Sequence, residues 1–242
     1  MVNLIPNIIT CLNLVCGCIA IIFIFMGNMD MVAVCIACSL VFDFFDGFAA
    51  RRMKVNSNLG KELDSLADMV SFGLVPGLIG CKLCLSSPPF SLNPTEISSI
   101  IFGHFPLIIT VASAVRLARF NLDTRQTDSF IGVPTPAITI LMIGLALVVE
   151  HDHLNLTPTI LNPFFVCGTS LIVAWLLNSE LPMIALKFKS FDWKTNAAQY
   201  QLIFYSMVLL VTLRYAGIAA IIILYIVSSF LHFKTSKTEI KT

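Results

Sequence analysis

Along most of this 242-residue chain, apolar runs of about 20 residues recur, separated by short polar breaks. A run of that length, wound as a helix, crosses a hydrocarbon layer about 30 Å thick. Inside lipid, a helix satisfies its own backbone hydrogen bonds, so repeated runs predict a bundle of membrane helices. The expected fold class is therefore an all-α polytopic membrane bundle, with about eight spans near residues 4–26, 30–50, 63–84, 98–120, 134–149, 158–178, 199–214 and 216–232. Composition agrees: 57% of residues are hydrophobic and 12% charged. Little chain remains for a soluble domain, so residues 1–242 read as one membrane domain.

Charge placement predicts the orientation. With the N-terminus inside, Arg51, Arg52, Lys54, Lys61, Arg116, Arg119, Arg125 and the basic residues after 186, except Arg214, collect on the cytosolic side, leaving Lys82 and Arg214 outside. This asymmetry follows the positive-inside rule and predicts an even number of spans with both termini cytosolic. The N-terminus lacks a basic region and a small-residue cleavage pattern, so the first run is expected to stay as a span. A net charge of +1 argues against a nucleic-acid partner. The eight cysteines, five of them inside the first two spans, have no histidine at ligand spacing and read as small packing residues.

Against this apolar background, four carboxylates stand out: Asp43 and Asp46 near the end of the second span, Asp64 and Asp68 at the start of the third. A charge at a span centre costs about 2.5 kcal/mol or more, so such acids point to function. Asp43, Asp46, Gly47 and Ala50 share one helical arc, and Asp64 and Asp68 lie one turn apart. The short connection makes the two helices antiparallel neighbours, so the two acidic faces can meet just inside the cytosolic surface. Four facing carboxylates repel one another, and hard divalent cations relieve that repulsion; Mg2+ or Mn2+ suits a site that also holds phosphates. Gly47, Ala50 and Gly60 remove bulk beside the acids and allow close approach of a nucleotide. They also suit simple helix packing, and the acids alternatively suit an interfacial ion-pair network with Arg51, Arg52, Lys54 and Lys61.

The eight positions Asp43, Asp46, Gly47, Ala50, Arg51, Gly60, Asp64 and Asp68, at this spacing, resemble the full signature of the CDP-alcohol phosphotransferase family. The resemblance implies that an alcohol attacks a phosphate of a CDP-linked lipid and CMP leaves. It makes Asp43, Asp46 and Asp64 metal ligands, and Asp68 a ligand or the general base. It places Gly47, Ala50, Arg51 and Gly60 on the CDP, and it implies two Mg2+ or Mn2+ ions and a homodimer.

Flanking segments, IPNIITCLNLVCG from Ile5, RLARFN from Arg116 and FIGVPTPA from Phe130, resemble the phosphatidylserine synthase branch of that family. That likeness implies CDP-diacylglycerol and L-serine as substrates and a bacterial cytoplasmic membrane as the location. Arg116 and Arg119, spaced i, i+3, suit a serine carboxylate or a phosphate, and equally an ordinary cytosolic anchor. Asn7, Thr10 and Asn13 form a polar stripe on the first span that suits either nucleotide binding or interhelical hydrogen bonding. Pro134 and Pro136 read as helix-start residues. Gly73, Pro76, Gly77 and Gly80 predict a kink in the third span that opens lateral space for acyl chains. Two other readings remain: the same chemistry with another alcohol such as glycerol 3-phosphate, and a divalent-cation transporter.

Overall fold

A computed structural model describes residues 4–54, 57–88, 90, 96–122, 130–152, 154–184 and 196–239. It is a helical membrane bundle. Helix α1 (Leu4–Met26) turns through Gly27 into α2 (Met29–Arg52), and the two form an antiparallel hairpin. Gly27 has φ +82°, a left-handed conformation that glycine adopts without strain. The Asn28 side chain caps α2 by accepting from Met31 N–H at 3.0 Å. Lys82 Nζ donates to the Ile24 carbonyl at 2.9 Å, placing a cation on the free carbonyl end of α1.

The third helix, α3, runs Asn58–Leu85. It starts five residues before the expected span because Ser57 Oγ accepts from Gly60 N–H at 3.0 Å and caps a polar first turn. Its middle, Met69–Leu74, is a π-helical turn. Helix α4 comprises Ile97–His104, a 3-10 turn Phe105–Leu107, and Ile108–Leu122. Then come α5 (Thr135–His151), a single turn Thr157–Ile160, α6 (Pro163–Asn178), α7 (Ala197–Leu213) and α8 (Tyr215–Glu239).

Among the described residues, four segments are long and apolar enough to cross a membrane: Leu4–Met26, Met29–Arg52, Asn58–Leu85 and Ser99–Leu122. Thr135–His151, Pro163–Asn178, Gln199–Leu213 and Tyr215–Leu231 are shorter apolar helices. The eight expected runs are thus mainly helical, the sixth being broken at Leu161–Asn162. Their outer faces carry bare apolar side chains, among them Ile8, Leu12 and Val15 on α1 and Phe204, Met207 and Val211 on α7, as a lipid solvent requires.

The inner faces bury Val32, Ile36, Phe72, Ile79, Ile109, Ile138 and Met142 in one core. Small residues bring its helices close. A β-carbon at Gly80 would lie 2.6 Å from Pro106, and one at Gly144 would lie 2.6 Å from the Ala219 backbone. One expectation for this region needs correcting. The third span carries a π-turn, and Gly77 and Gly80 face α4 and α5 side chains, Thr110 at the first and Pro106 and Met142 at the second, rather than open space. Within this all-α architecture a single short ladder joins two connections: β1 (Phe130–Ile131) pairs antiparallel with β2 (Pro182–Met183). Gly132, φ +77°, continues that ladder by donating to the Leu181 carbonyl at 2.9 Å.

A carboxylate cluster between the first three helices

The hairpin α1–α2 and the first turns of α3 converge at one end of the bundle, where the four acids meet. Carboxylate oxygens of Asp43, Asp64 and Asp68 all lie within 4.8 Å of one another. Asp46, 5% exposed, stands beside them and accepts from Thr10 Oγ1 at 2.7 Å. Asn13 is fully buried on α1, and its Nδ2 donates to Asp68 Oδ1 at 3.2 Å. The same asparagine is fixed from behind. Ser39 Oγ bonds to Asn13 Oδ1, and Ser71 Oγ donates to the Asn13 carbonyl at 3.1 Å. Gly17 makes this approach possible, since a β-carbon there would lie 2.3 Å from Ser71 Oγ.

Among the described residues, no lysine or arginine reaches any of the four carboxylates at ion-pair distance. The interfacial ion-pair network therefore does not form. What the helices assemble instead is a compact set of hard oxygen donors with no bound cation of protein origin. That donor set and spacing fit a divalent ion of the Mg2+ or Mn2+ type. An acidic cluster that can hold metal, expected from helical spacing alone, is present.

Beside the cluster opens a cleft of about 230 Å³, lined by Pro6, Asn7, Thr10, Asp46, Gly47, Ala50, Ser57, Gly60, Lys61 and Asp64. The sequence-expected positions Asn7, Thr10, Gly47, Ala50 and Gly60 thus share one wall system with two of the acids. Gly60 matters sterically, because a β-carbon there would lie 2.9 Å from Ser57 Oγ and 3.2 Å from Asn7 Oδ1. Arg51 is exposed and its guanidinium lies over Gly47, 3.3 Å from where a β-carbon would sit.

Three lining residues escaped the sequence reading. These are Pro6, Ser57 and Lys61, of which Lys61 reads in the sequence only as a cytosolic cation and an ion-pair partner for the acids. Lys61 Nζ donates to the Asn121 carbonyl at 2.8 Å, while Asn121 Nδ2 donates to Ser65 Oγ at 2.8 Å, which ties the end of α4 to the start of α3.

The two arginines of α4 part company. Arg119 is exposed, whereas Arg116 turns inward with its Nε buried and without a hydrogen-bond partner. Arg116 interacts electrostatically with Asp68 and with Tyr225 of α8. A buried, unsatisfied guanidinium nitrogen calls for an acceptor, and a ligand anion is one that would satisfy it. Tyr225 itself donates to the Ile184 carbonyl at 3.1 Å. At the opposite end of the bundle, His151 bonds Asp30 at 2.9 Å and stacks on Tyr215, away from the acids.

A membrane helix bundle with paired acids on adjoining helices, beside a small-residue cleft, defines a class of integral membrane phosphotransferase. The CDP-alcohol phosphatidyltransferase family model matches residues 3–179, and the chain belongs to that family. It is similar to the CDP-diacylglycerol–serine O-phosphatidyltransferase of Bacillus subtilis strain 168, with 32% identity over 171 residues, 71% of this chain and 86% of the relative. It is likewise similar to the enzyme of that name from Helicobacter pylori strain 26695, with 31% identity over 209 residues, 85% of this chain and 81% of the relative. A third relative of that name, from Methanocaldococcus jannaschii, is 32% identical over 151 residues, 62% of this chain and 64% of the relative.

Proposed function

We propose that this protein is a CDP-diacylglycerol–serine O-phosphatidyltransferase, transferring the phosphatidyl group of CDP-diacylglycerol to the L-serine hydroxyl and releasing CMP. The observation that carries the reading is the meeting of Asp43, Asp64 and Asp68 within 4.8 Å beside a cleft bounded by small residues. The names of the similar proteins favour serine as the acceptor.

In this reading Asp43, Asp46, Asp64 and Asp68 hold two Mg2+ or Mn2+ ions. Held there, the ions supply charge neutralisation for the diphosphate and its leaving group. Asn7, Thr10, Gly47, Ala50, Arg51 and Gly60 receive the CDP moiety, with Thr10 and Asn13 fixing Asp46 and Asp68. Arg116 binds the serine carboxylate. Arg119, exposed, serves as a surface cation.

The serine oxygen bonds to the phosphatidyl phosphorus as the P–O bond to CMP breaks, and Asp68 accepts the hydroxyl proton. An ordinary carboxylate is a weak base for an aliphatic alcohol, so proton transfer is concerted with attack. Residues 1–242 act as a single domain with eight crossings and both termini cytosolic. The acids then face the cytosol of a bacterial cytoplasmic membrane, where lipid-borne CDP and soluble serine meet, and the protein works as a homodimer.

The test is an alcohol panel with labelled CDP-diacylglycerol and purified protein. CMP and phosphatidylserine should appear only with L-serine. Release driven by glycerol 3-phosphate with serine inert would assign another acceptor, and metal uptake into liposomes without CMP release would replace the enzyme reading with a transporter.

A further inference from the structure

The turn that follows Asp68 is unusual. Over Met69–Leu74 the helix widens to a π-turn, in which Val75 N–H bonds to the Val70 carbonyl, five residues back. Pro76 explains the widening. Its ring clashes with the carbonyl four residues earlier, Phe72, and it has no N–H to offer that carbonyl.

Side chains from other helices complete the broken ladder. Thr139 Oγ1, fully buried on α5, shares its proton between the Phe72 carbonyl at 3.2 Å and the Thr135 carbonyl of its own helix at 3.0 Å. Thr110 Oγ1 on α4 donates to the Gly73 carbonyl at 3.0 Å. Gly77 permits this second bond, since a β-carbon there would stand 2.2 Å from Thr110 Oγ1.

The register consequence is large. Beyond the π-turn, α3 is locked by Gly77 against Thr110 and by Gly80 against Pro106. Nine residues of regular α-helix from Asp68 to Gly77 would set the two about 180° apart; one extra residue in the turn reduces this to about 80°. Closing the π-turn would therefore swing Asp68 by about 100° about the helix axis, out of the cluster it forms with Asp43 and Asp64.

We infer that the π-turn Met69–Leu74, imposed by Pro76, aims Asp68 into the carboxylate cluster, and that Thr139 and Thr110 are positioning residues that fix its geometry through the Phe72 and Gly73 carbonyls. This rests on the role given to Asp68 in the proposed reaction, but its test does not depend on which alcohol is the acceptor.

The experiment compares Thr139→Val, which removes the hydroxyl at nearly constant shape, with Thr139→Ser, which keeps it. Mn2+ binding is followed by electron paramagnetic resonance, and CMP release is measured over a range of CDP-diacylglycerol concentrations. Thr139→Val should weaken Mn2+ binding or lower kcat by about tenfold to a hundredfold, as loss of an orienting outer contact does at metal sites. KM for CDP-diacylglycerol should stay within twofold, and Thr139→Ser should behave as wild type.

Should Thr139→Val not extract as a folded protein, Thr110→Val, acting on the Gly73 carbonyl from another helix, carries the same test. Wild-type Mn2+ affinity and kcat in the folded valine variant would overturn the inference, as would a serine variant as impaired as the valine one. A wild-type protein that binds Mn2+ but does not use serine would overturn only the acceptor assignment.

Discussion

Exchanging Asn13, itself fully buried, for aspartate alters one atom type at a contact of the acid cluster and leaves side-chain volume nearly unchanged. In the wild type, Asn13 Nδ2 donates to Asp68 Oδ1 at 3.2 Å. In Asn13→Asp an acceptor oxygen takes the donor's place, and a fifth charge joins four that have no lysine or arginine at ion-pair distance among the described residues. With both groups ionised at that 3.2 Å, repulsion is about 1.3 kcal/mol at a water-like dielectric constant and about 5 kcal/mol at an effective value of 20. Converted at about 1.4 kcal/mol per tenfold, the bracket corresponds to a loss of about tenfold to several-thousandfold in CMP release at fixed metal and substrate. The measurement is kcat/KM for CDP-diacylglycerol, with chromatographic monodispersity as the folding control. A folded Asn13→Asp protein within twofold of wild type would refute the view that Asn13 orients Asp68 for the reaction.

Arg116→Gln should raise KM for L-serine at least tenfold while exposed Arg119→Gln stays within twofold, as read from CMP release at varied serine; equal effects would remove the distinction between the two arginines. Gly60→Val should raise KM for CDP-diacylglycerol more than it lowers kcat, because the new side chain enters the cleft between Ser57 and Asn7. Gly132→Ala should lower the melting temperature in detergent, since φ +77° disfavours alanine by about 1–2 kcal/mol and its β-carbon would lie 2.8 Å from the Leu177 carbonyl; an unchanged melting temperature would show that this ladder is not held as described.

The span pattern was legible because lipid permits only one reading of long apolar runs: the first helix covers the expected residues 4–26. Where polarity rather than hydropathy fixes an end, the pattern fell short. Thus α3 starts at Asn58 through the Ser57 cap, before its apolar stretch begins. The acids were legible from charge placed in an apolar context at helical spacing. Their partners were only half legible: Thr10 and Asn13 stood out as a polar stripe, but which acids they meet depends on how α1 packs against α2 and α3.

Thr110, Thr139 and Ser71 gave no signal, since an isolated hydroxyl in an apolar helix ordinarily bonds its own backbone one turn back. Thr139 also makes that local contact, to Thr135 O at 3.0 Å. Pro76 announced a disturbance of α3, though not that the helix would widen. The pairing of Phe130–Ile131 with Pro182–Met183 joins segments some fifty residues apart in two-residue strands, too short for any periodicity to reveal.

In the proposed reaction the acids on α2 and α3 hold the divalent metal on which phosphatidyl transfer depends. Its most direct test measures bound Mn2+ and released CMP in the same preparation, for wild type and for Asp64→Asn. Wild type should bind Mn2+ and turn over, chelation should abolish turnover and Mg2+ or Mn2+ restore it, and Asp64→Asn should lose Mn2+ binding and CMP release together while remaining folded. Undiminished CMP release from the chelated protein, or from Asp64→Asn, would contradict it.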